Sequence, residues 1–396
     1  MKNIESHVLE LRAKRREPLC AYMYDLALLR AHVARVMAAL PARTRFFYAV
    51  KANSEAPILR ALAPLVHGFE VASAGELEKV RAVAPEAPVL FGGPGKTAGE
   101  LERAVELGVM LLHVESLHEL RRVEQVGAHR GVRVPVLLRV NLRASLPAAT
   151  LQMGGAPTQF GIDEADIAGA ISLALRSPHV DLQGFHFHSL SNDLDAPAHA
   201  GLVCAYLERV RTWAREFGLR PKWVNAGGGI GVNYADLERQ FDWESFTRLL
   251  GEARQDETAD SPTVLFECGR FVTAFCGYYA VEVLDLKRNH GRSYAIVRGG
   301  THHFRLPASW QHSHPFTVVP VADWPHPFER PELRDSPIHV VGQLCTPKDV
   351  LARDAVVSRV RIGDILLFRQ AGAYGWAISH HDFLSHPHPE HFFLEE

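Results

Sequence analysis

Between residues 25 and 267 the chain alternates between two hydrophobic patterns. Short apolar runs, rich in β-branched and aromatic residues, are separated by longer stretches in which apolar positions recur every three to four residues. The short runs predict buried strands and the longer stretches predict amphipathic helices, the first of which follows Asp25 as a plausible N-cap. The predicted strands are residues 45–50, 68–71, 88–92, 110–114, 134–140, 182–188, 222–225 and 263–267.

Strands that alternate with helices in this way predict an α/β fold with a parallel sheet covered by helices. Eight units in about 240 residues match the size of a closed (β/α)8 TIM barrel. An open, doubly wound sheet is the alternative. The predicted helices between the strands include residues 75–83, 98–107, 117–126, 196–217 and 243–253.

After residue 267 the helical spacing largely disappears. The β-prone runs 271–286, 294–297, 338–341, 365–368 and 374–378 are separated by turn clusters and predict an all-β domain. A short run at residues 19–23 is expected to pair with it. The predicted organisation is therefore a barrel domain at 25–267 and a C-terminal β domain at 268–396, to which residues 1–24 are added.

The composition narrows the class of protein. A 47% apolar and 22% charged chain with a net charge of −2 is typical of a globular protein and indicates no nucleic-acid or anionic-membrane partner. No apolar run approaches the ~20 residues needed to span a bilayer, and residues 1–16 have no signal-peptide core. The five cysteines are scattered and form no CxxC pair, which favours a reducing compartment and a cytoplasmic location.

Charged residues mark the ends of the first and last predicted strands. Lys51 directly follows the strand at 45–50, and the carboxyl ends of barrel strands form the mouth where sites are built. A partly desolvated amine there can be neutral near pH 7 and form a Schiff base with a carbonyl. The alternative is a lysine that reaches out to solvent. Glu267 and Arg270 lie at the end of the eighth strand, where a structural salt bridge is the alternative to a functional site.

Two apparent nucleotide motifs fail on spacing. Residues 95–97 read Gly-Lys-Thr, but Leu90 stands where a Walker A loop needs its first glycine, and the glycines of 227–231 do not fit GxGxxG. The glycine run can still wrap backbone N–H groups around a phosphate, or simply form a tight turn. His186 and His188 share one strand face, but no carboxylate at ligand spacing accompanies them, so we expect no metal.

Six segments, in this order along nearly the whole chain, resemble the fold-type III pyridoxal-phosphate decarboxylases, a family that includes diaminopimelate, ornithine and arginine decarboxylases. The resemblance implies a TIM barrel of the alanine racemase-like type, a C-terminal β domain and the cofactor pyridoxal 5′-phosphate. The segments are YAVKAN at 48–53, HSLS at 188–191, GGGIG at 227–231, ECGR at 267–270, the loop around Cys345 and GAYG at 372–375.

The resemblance also implies a role for individual residues. Lys51 would form the Schiff base with the cofactor, His188 would stack on its ring, and Glu267 would bond to the ring nitrogen. Because an acid at that nitrogen deepens the electron sink, Glu267 favours decarboxylation over racemisation. Cys345 would reprotonate the substrate carbon from the partner subunit, which implies an obligate homodimer with shared active sites. The residues implied to hold the cofactor phosphate are Ser191, Gly228, Gly269, Arg270 and Tyr374.

The chain departs from diaminopimelate decarboxylases where those enzymes bind substrate. Arg305 is one residue off the register of their substrate-binding arginine, and His302 and His303 replace an Asn-Asp pair. Glu70 stands where the family usually has aspartate. These differences argue against diaminopimelate as the substrate.

Details at 152–157, 191–195 and 301–307 look most like the decarboxylases of carboxylate-siderophore biosynthesis of the staphyloferrin B type. That resemblance implies conversion of citryl-L-2,3-diaminopropionate to citryl-ethylenediamine, a small polycarboxylate that Arg305, His302 and His303 would bind through bidentate and imidazole hydrogen bonds. The alternatives are a decarboxylase of diaminopimelate, of a basic amino acid or of a carrier-bound amino acid, and a catalytically silent regulatory homologue.

Overall fold

A computed structural model describes residues 2–143, 151–152 and 157–395. The chain divides into two compact units. The barrel unit comprises residues 30–233 and 238–272, and the β unit comprises residues 1–29, 234–237 and 273–396. Of the segment 152–157, used above for the substrate class, residues 153–156 lie outside the described residues. The predicted domain boundaries at 25 and 268 stay a prediction.

The barrel unit is built on eight parallel strands. Each pairs with the next along the chain, and the eighth pairs with the first in the register Phe266↔Phe46, so the sheet closes. This confirms the predicted TIM barrel, and the predicted strand ends are displaced by two residues at most. The first to eighth barrel strands are Thr44–Ala49, Gly68–Val71, Val89–Phe91, Leu111–Val114, Val134–Asn141, Val180–His186, Trp223–Asn225 and Thr263–Cys268.

The strands could be found from sequence because nearly all their residues are buried, with side chains packed either inside the barrel or under the helices. Five of the strands contribute fully buried side chains to one cluster, which consists of Phe47, Leu90, Leu111, Leu137 and Leu265. This packing leaves polar side chains to collect at the strand ends, where they position the site described below.

Polar side chains cap the N-termini of several helices. The backbone N–H of Leu28 donates to Asp25 Oδ1 at 2.7 Å, which confirms the predicted cap, and Thr97 and Glu100 form a reciprocal capping box. Within the described residues, no helix is both long and apolar enough to cross a membrane. The main helices are Leu26–Ala38, Ala56–Leu62, Ala74–Val83, Ala98–Glu106, Leu117–Arg130, Ile167–Arg176, Ala196–Phe217 and Trp243–Ala253.

In the described part of the chain, the β unit contains an eight-stranded sheet together with the helices Lys2–Ala13 and Leu306–Trp310. Its first strand pairs antiparallel with Gly277–Asn289 and parallel with Glu390–Leu394, which confirms that the run at 19–23 joins this sheet. The strands are Cys20–Asp25, Gly277–Asn289, Arg292–Val297, Phe316–Val319, Glu332–Val341, Val350–Arg361, Ile365–Phe368 and Glu390–Leu394.

Two strand predictions in this unit need correction. The strand predicted from residue 271 begins only at Gly277, because Arg270–Thr273 and Ala274–Cys276 form helical turns before it. The strand predicted at 374–378 is wrong. Tyr374, which lies between Gly372 and Gly375, has a left-handed φ of 52°, and Trp376–Ile378 is a 3₁₀ turn, so this segment is a loop.

Candidate active site

Polar side chains from several barrel strands collect at one end of the barrel unit. Because all eight strands run parallel, their carboxyl ends meet at a single mouth. Each of these side chains stands at, or one turn beyond, the end of an otherwise apolar strand, and most are buried. They are Lys51, Glu70, His113, Arg139, His186, His188, Asn225 and Glu267.

Lys51 lies on a 3₁₀ turn, Val50–Ala52, that follows the first strand. Its Nζ lies 3.2 Å from Oε2 of Glu70, and its side chain is 40% exposed while that of Glu70 is 4% exposed. Burial raises the pKa of Glu70 to about 7, Lys51 opposes that shift, and the charge of Glu267 adds to it. Near neutral pH Glu70 is therefore a carboxyl group poised between its two protonation states.

Glu267 lies among three buried polar side chains. Asn225 Nδ2 donates to Glu267 Oε1 at 2.5 Å. His113 Nε2 lies 3.6 Å from the same oxygen, and His186 Nε2 lies 3.4 Å from Oε2. Burial lowers the pKa of both histidines well below the usual range. Both imidazoles are consequently neutral, and the carboxylate is surrounded by dipoles rather than by cations.

His113, His186 and Glu267 also have the spacing of a metal site, since one ligand atom from each lies within 4.8 Å of the others. The amide of Asn225 fills the space on one side of this trio, because Nδ2 lies 2.5 Å from Glu267 Oε1 and 3.2 Å from His113 Nε2. Amide hydrogens that point at both atoms oppose a cation there. The donor arrangement fits a hydrogen-bonded carboxylate better than a metal ligand.

His188 is held in one orientation by the glycine run. The backbone N–H of Gly228 donates to His188 Nδ1 at 3.1 Å, so the ring carries its proton on Nε2. Burial lowers the pKa of His188 well below its usual range, and the charge of Lys51 lowers it further. His188 therefore presents a neutral, fixed ring. The N–H of Gly228, predicted to bind phosphate, is occupied by this imidazole in the structure.

The segments predicted to hold a phosphate lie side by side. Asp193 N–H donates to the carbonyl oxygen of Gly229 at 2.8 Å, which places the segment after Ser191 against the glycine run. A Cβ on Gly228 would lie 2.2 Å from the carbonyl oxygen of Glu267, and one on Gly269 would lie 2.8 Å from Ala52 Cβ. Only glycine allows these close approaches. Arg270 is buried and begins the short helix Arg270–Thr273.

Cys345 and Tyr374 belong to the β unit. Cys345 is exposed in a loop that Asp349 holds, because one oxygen of that carboxylate accepts from Leu344 N–H at 2.9 Å and the other from Thr301 N–H at 2.6 Å. Tyr374 is half-buried on the glycine-flanked loop described above. The predicted roles of both residues stay predictions.

The three predicted substrate residues, also in the β unit, differ in exposure. His302 and His303 are fully buried with ring centroids 3.8 Å apart, whereas Arg305 is exposed. Burial, followed by the neighbouring histidines, lowers the pKa of His302 to about 4, and burial lowers that of His303 to about 2. Any attraction of these two rings for a carboxylate at neutral pH therefore comes from N–H donation rather than from charge.

Four members of the site were not predicted from the sequence. Glu70 stood out only as a departure from the family pattern, and His113, Arg139 and Asn225 were not selected. A usable signal was present, because each is a polar residue at the end of a buried strand. Their partners are far away in the chain, so the pairing itself could not be read from the sequence.

The profile of the family described as pyridoxal-dependent decarboxylase, pyridoxal binding domain, matches residues 26–274. A Staphylococcus aureus enzyme, 2-[(L-alanin-3-ylcarbamoyl)methyl]-2-hydroxybutanedioate decarboxylase, is 47% identical over 396 residues, covering 100% of this chain and 99% of its own. The L-glutamyl-[BtrI acyl-carrier protein] decarboxylase of Niallia circulans is 30% identical over 93% of this chain and 87% of its own.

Solved structures show the same architecture. The crystal structure of diaminopimelate decarboxylase from Helicobacter pylori complexed with L-lysine is similar with a TM-score of 0.83 at 27% identity, covering 98% of this chain and 93% of that one. Both the barrel and the β unit therefore have counterparts in a solved enzyme.

Proposed function

We propose that this chain, which belongs to the family of pyridoxal-dependent decarboxylases, removes the α-carboxylate from the amino-acid unit of citryl-L-2,3-diaminopropionate and releases citryl-ethylenediamine. The observation that carries the substrate is the 47% identity, over essentially the full length of both chains, to the S. aureus enzyme whose name specifies that compound. The reaction would serve carboxylate-siderophore biosynthesis.

The barrel mouth fits the family's cofactor, pyridoxal 5′-phosphate. It offers an amine at Lys51, a fixed neutral ring at His188, a buried carboxylate at Glu267 and a side-chain-free backbone at Gly228. When bound, pyridoxal phosphate draws into its ring the electron pair that remains on the α-carbon after carbon dioxide leaves. The carboxylate of Glu267 would accept a hydrogen bond from the ring nitrogen and keep that nitrogen protonated. Lys51 would bond to the cofactor aldehyde and exchange with the substrate amine.

The remaining residues would bind and orient the ligands. We assign the phosphate to the segments around Ser191, Gly228, Gly269 and Arg270, together with Tyr374. Their close backbone approach supports the first three. The N–H groups of Gly227, Gly228 and Gly231 already donate to Asn225, His188 and Asp193, so the N–H groups of Gly229 and Ile230 would supply the phosphate donors in the glycine run.

Cys345 would donate a proton to the α-carbon. Its exposed loop supports this role, since an exposed thiol can enter a neighbouring subunit's site. We accordingly propose an obligate homodimer in which each site is shared, and a cytoplasmic location. Size-exclusion chromatography with light scattering would test the dimer, and a monomer that retains full activity would contradict it.

The substrate carboxylates would be bound by Arg305, His302 and His303. Arg305 is exposed and can form bidentate hydrogen bonds, while the two neutral imidazoles can each donate one. A carrier-bound amino acid is the second candidate, because the Niallia circulans relative that acts on one is 30% identical over 93% of this chain.

The decisive experiment measures carbon dioxide release from a panel of substrates by the cofactor-loaded protein. The panel contains citryl-diaminopropionate, diaminopimelate, ornithine, arginine, lysine and a carrier-bound glutamate. We expect the highest kcat/KM for citryl-diaminopropionate, by at least tenfold. A higher value for any other member would contradict the proposed substrate, and release from none would contradict the activity. Lys51→Ala serves as the inactive control.

A further inference from the structure

Asn225, at the end of the seventh barrel strand, makes three hydrogen bonds with its side chain while fully buried. Its Oδ1 accepts from the backbone N–H of Gly227 at 2.9 Å. Its Nδ2 lies 2.5 Å from Glu267 Oε1 and 3.2 Å from His113 Nε2. Asn225 thus joins the start of the glycine run to the carboxylate that we assign to the cofactor's ring nitrogen.

The hydrogen bond from Gly227 N–H to Asn225 Oδ1 fixes the direction of the other two hydrogen bonds of this side chain. Because an N–H group donates to Oδ1, the amide cannot be rotated end for end, and both hydrogens of Nδ2 must point away from Gly227. One of these hydrogens is donated to Glu267, whose ionised carboxylate can accept hydrogen bonds but cannot donate them. The other goes to His113 Nε2, which must then be unprotonated and accept. The lowered pKa of His113 agrees with a neutral ring that has this lone pair.

A second buried carboxyl group lies in the same mouth. Glu70 is next to Lys51, and its pKa is raised to about 7 by burial and, after the opposing effect of Lys51, by the charges of Glu267 and Glu76. Two carboxyl groups in one dry site repel each other when both are ionised, so one of them takes a proton more readily. Charge-assisted donation by an amide favours the ionised form of the group that receives it.

We propose that Asn225 is a positioning residue that assigns the negative charge to Glu267 and leaves the available proton to Glu70. Glu267 has the amide of Asn225 and the neutral rings of His113 and His186 around it, whereas Glu70 has the amine of Lys51. An ionised Glu267 is the partner that keeps a pyridine nitrogen protonated. This inference rests on the proposed cofactor role of Glu267, but it does not depend on which amino acid is decarboxylated.

The test replaces Asn225 in two ways. Asn225→Asp keeps the acceptor for Gly227 N–H and removes both donors, and Asn225→Leu removes the donors without adding a charge. Asn289→Asp, at an exposed position in the β unit, is the matched control. The readout is the 15N chemical shift of pyridoxal phosphate labelled at its ring nitrogen and bound to each protein, which needs no substrate.

We expect a protonated ring nitrogen in the wild type, in the control and in Asn225→Asp, whose added carboxylate supplies its own negative charge, and an unprotonated one in Asn225→Leu. With substrate, kcat should fall at least tenfold in Asn225→Leu while KM changes less than threefold. Infrared difference spectra of the cofactor-free protein provide a second readout. In the wild-type background, Glu70→Gln should remove the band of the protonated carboxyl group. In the Asn225→Leu background, Glu267→Gln should remove that band instead.

A folded Asn225→Leu protein that binds the cofactor with a protonated ring nitrogen would overturn the proposal. So would a fall in melting temperature with unchanged kcat and chemical shift, because that is what a purely structural asparagine gives. Stoichiometric Zn²⁺ binding to the cofactor-free wild type that His113→Ala abolishes would also overturn it, since a cation there displaces the amide. If the chemical shifts follow the expected pattern but the wild type releases no carbon dioxide from any member of the substrate panel, the proposed activity is contradicted and the role of Asn225 is not.

Discussion

Replacement of Glu70 by glutamine should change how the stability of the cofactor-free protein depends on pH. The carboxyl group of Glu70 is buried against Lys51 with a pKa raised from 4.5 to about 7, first by burial. The folded state therefore binds the proton more tightly than the unfolded state. The stability that this contributes is complete below pH 4.5 and is lost as the pH rises through 7. Glutamine keeps the shape of the side chain and cannot titrate.

The expected change in the free energy of unfolding follows from the pKa shift of Glu70. One pKa unit corresponds to about 1.4 kcal/mol, so a rise from 4.5 to about 7 corresponds to roughly 3 kcal/mol. The opposing attraction of Lys51 is already contained in that value, because it is one of the causes of the pKa. We expect the free energy of unfolding of Glu70→Gln, relative to the wild type, to increase by about 3 kcal/mol between pH 4.5 and pH 8.

Urea unfolding of the cofactor-free wild type and variant, followed by fluorescence across this pH range, measures the difference. An infrared band of a protonated carboxyl group that disappears from the wild type with a midpoint near pH 7, and is missing from Glu70→Gln, would identify the group directly. Glu102→Gln, at an exposed position, is the control and should show no such trend. A difference between Glu70→Gln and wild type that is constant with pH, or that falls as pH rises, would refute the reasoning.

Three further substitutions test individual residues. Lys51→Ala should abolish both turnover and the visible absorbance of bound cofactor, and a variant that keeps either would contradict the role of the amine. Cys345→Ala should lower kcat by about a hundredfold and give oxidative by-products while cofactor absorbance persists; an unchanged rate and product distribution would exclude the thiol as the acid. Gly228→Ala places a Cβ 2.2 Å from the carbonyl oxygen of Glu267, so cofactor dissociation should accelerate at least tenfold and stability should fall by about 1–3 kcal/mol, as measured by dilution and thermal unfolding.

The barrel could be predicted from sequence because its strands carry a strong local signal. Val89–Phe91 and Leu111–Val114 are buried at every position, and each is bounded by turn or cap residues. The β unit has a weaker signal. Val350–Arg361 has an irregular burial pattern and contains Asp354 at φ 50°, so its apolar positions form neither a continuous run nor a strict alternation. The strand Phe316–Val319 is only half-buried at three of its four positions, so it lacks the fully buried run that marks the barrel strands.

The site was predictable where one residue carries its own motif, as Lys51, His188 and Glu267 do. It was not predictable where function depends on a contact between strands. The bond from Asn225 to Glu267 joins the seventh and eighth strands, which pair directly, and the His113–Glu267 approach crosses the barrel interior. Such pairs leave no spacing pattern along the chain, because their distance is set by strand pairing and by closure of the sheet rather than by any local period.

Closure of the barrel also sets when the site can exist. Lys51 follows the first strand and Glu267 lies in the last, and the pairing of these two strands is the seam that completes the barrel. During synthesis Lys51 leaves the ribosome long before Glu267 does. A nascent chain that ends before Cys268 has the lysine but no assembled mouth, so it has no structured place for the cofactor. Cofactor capture would therefore report that the barrel has been translated in full, and a chain truncated in the eighth strand would expose an unpaired edge at its first.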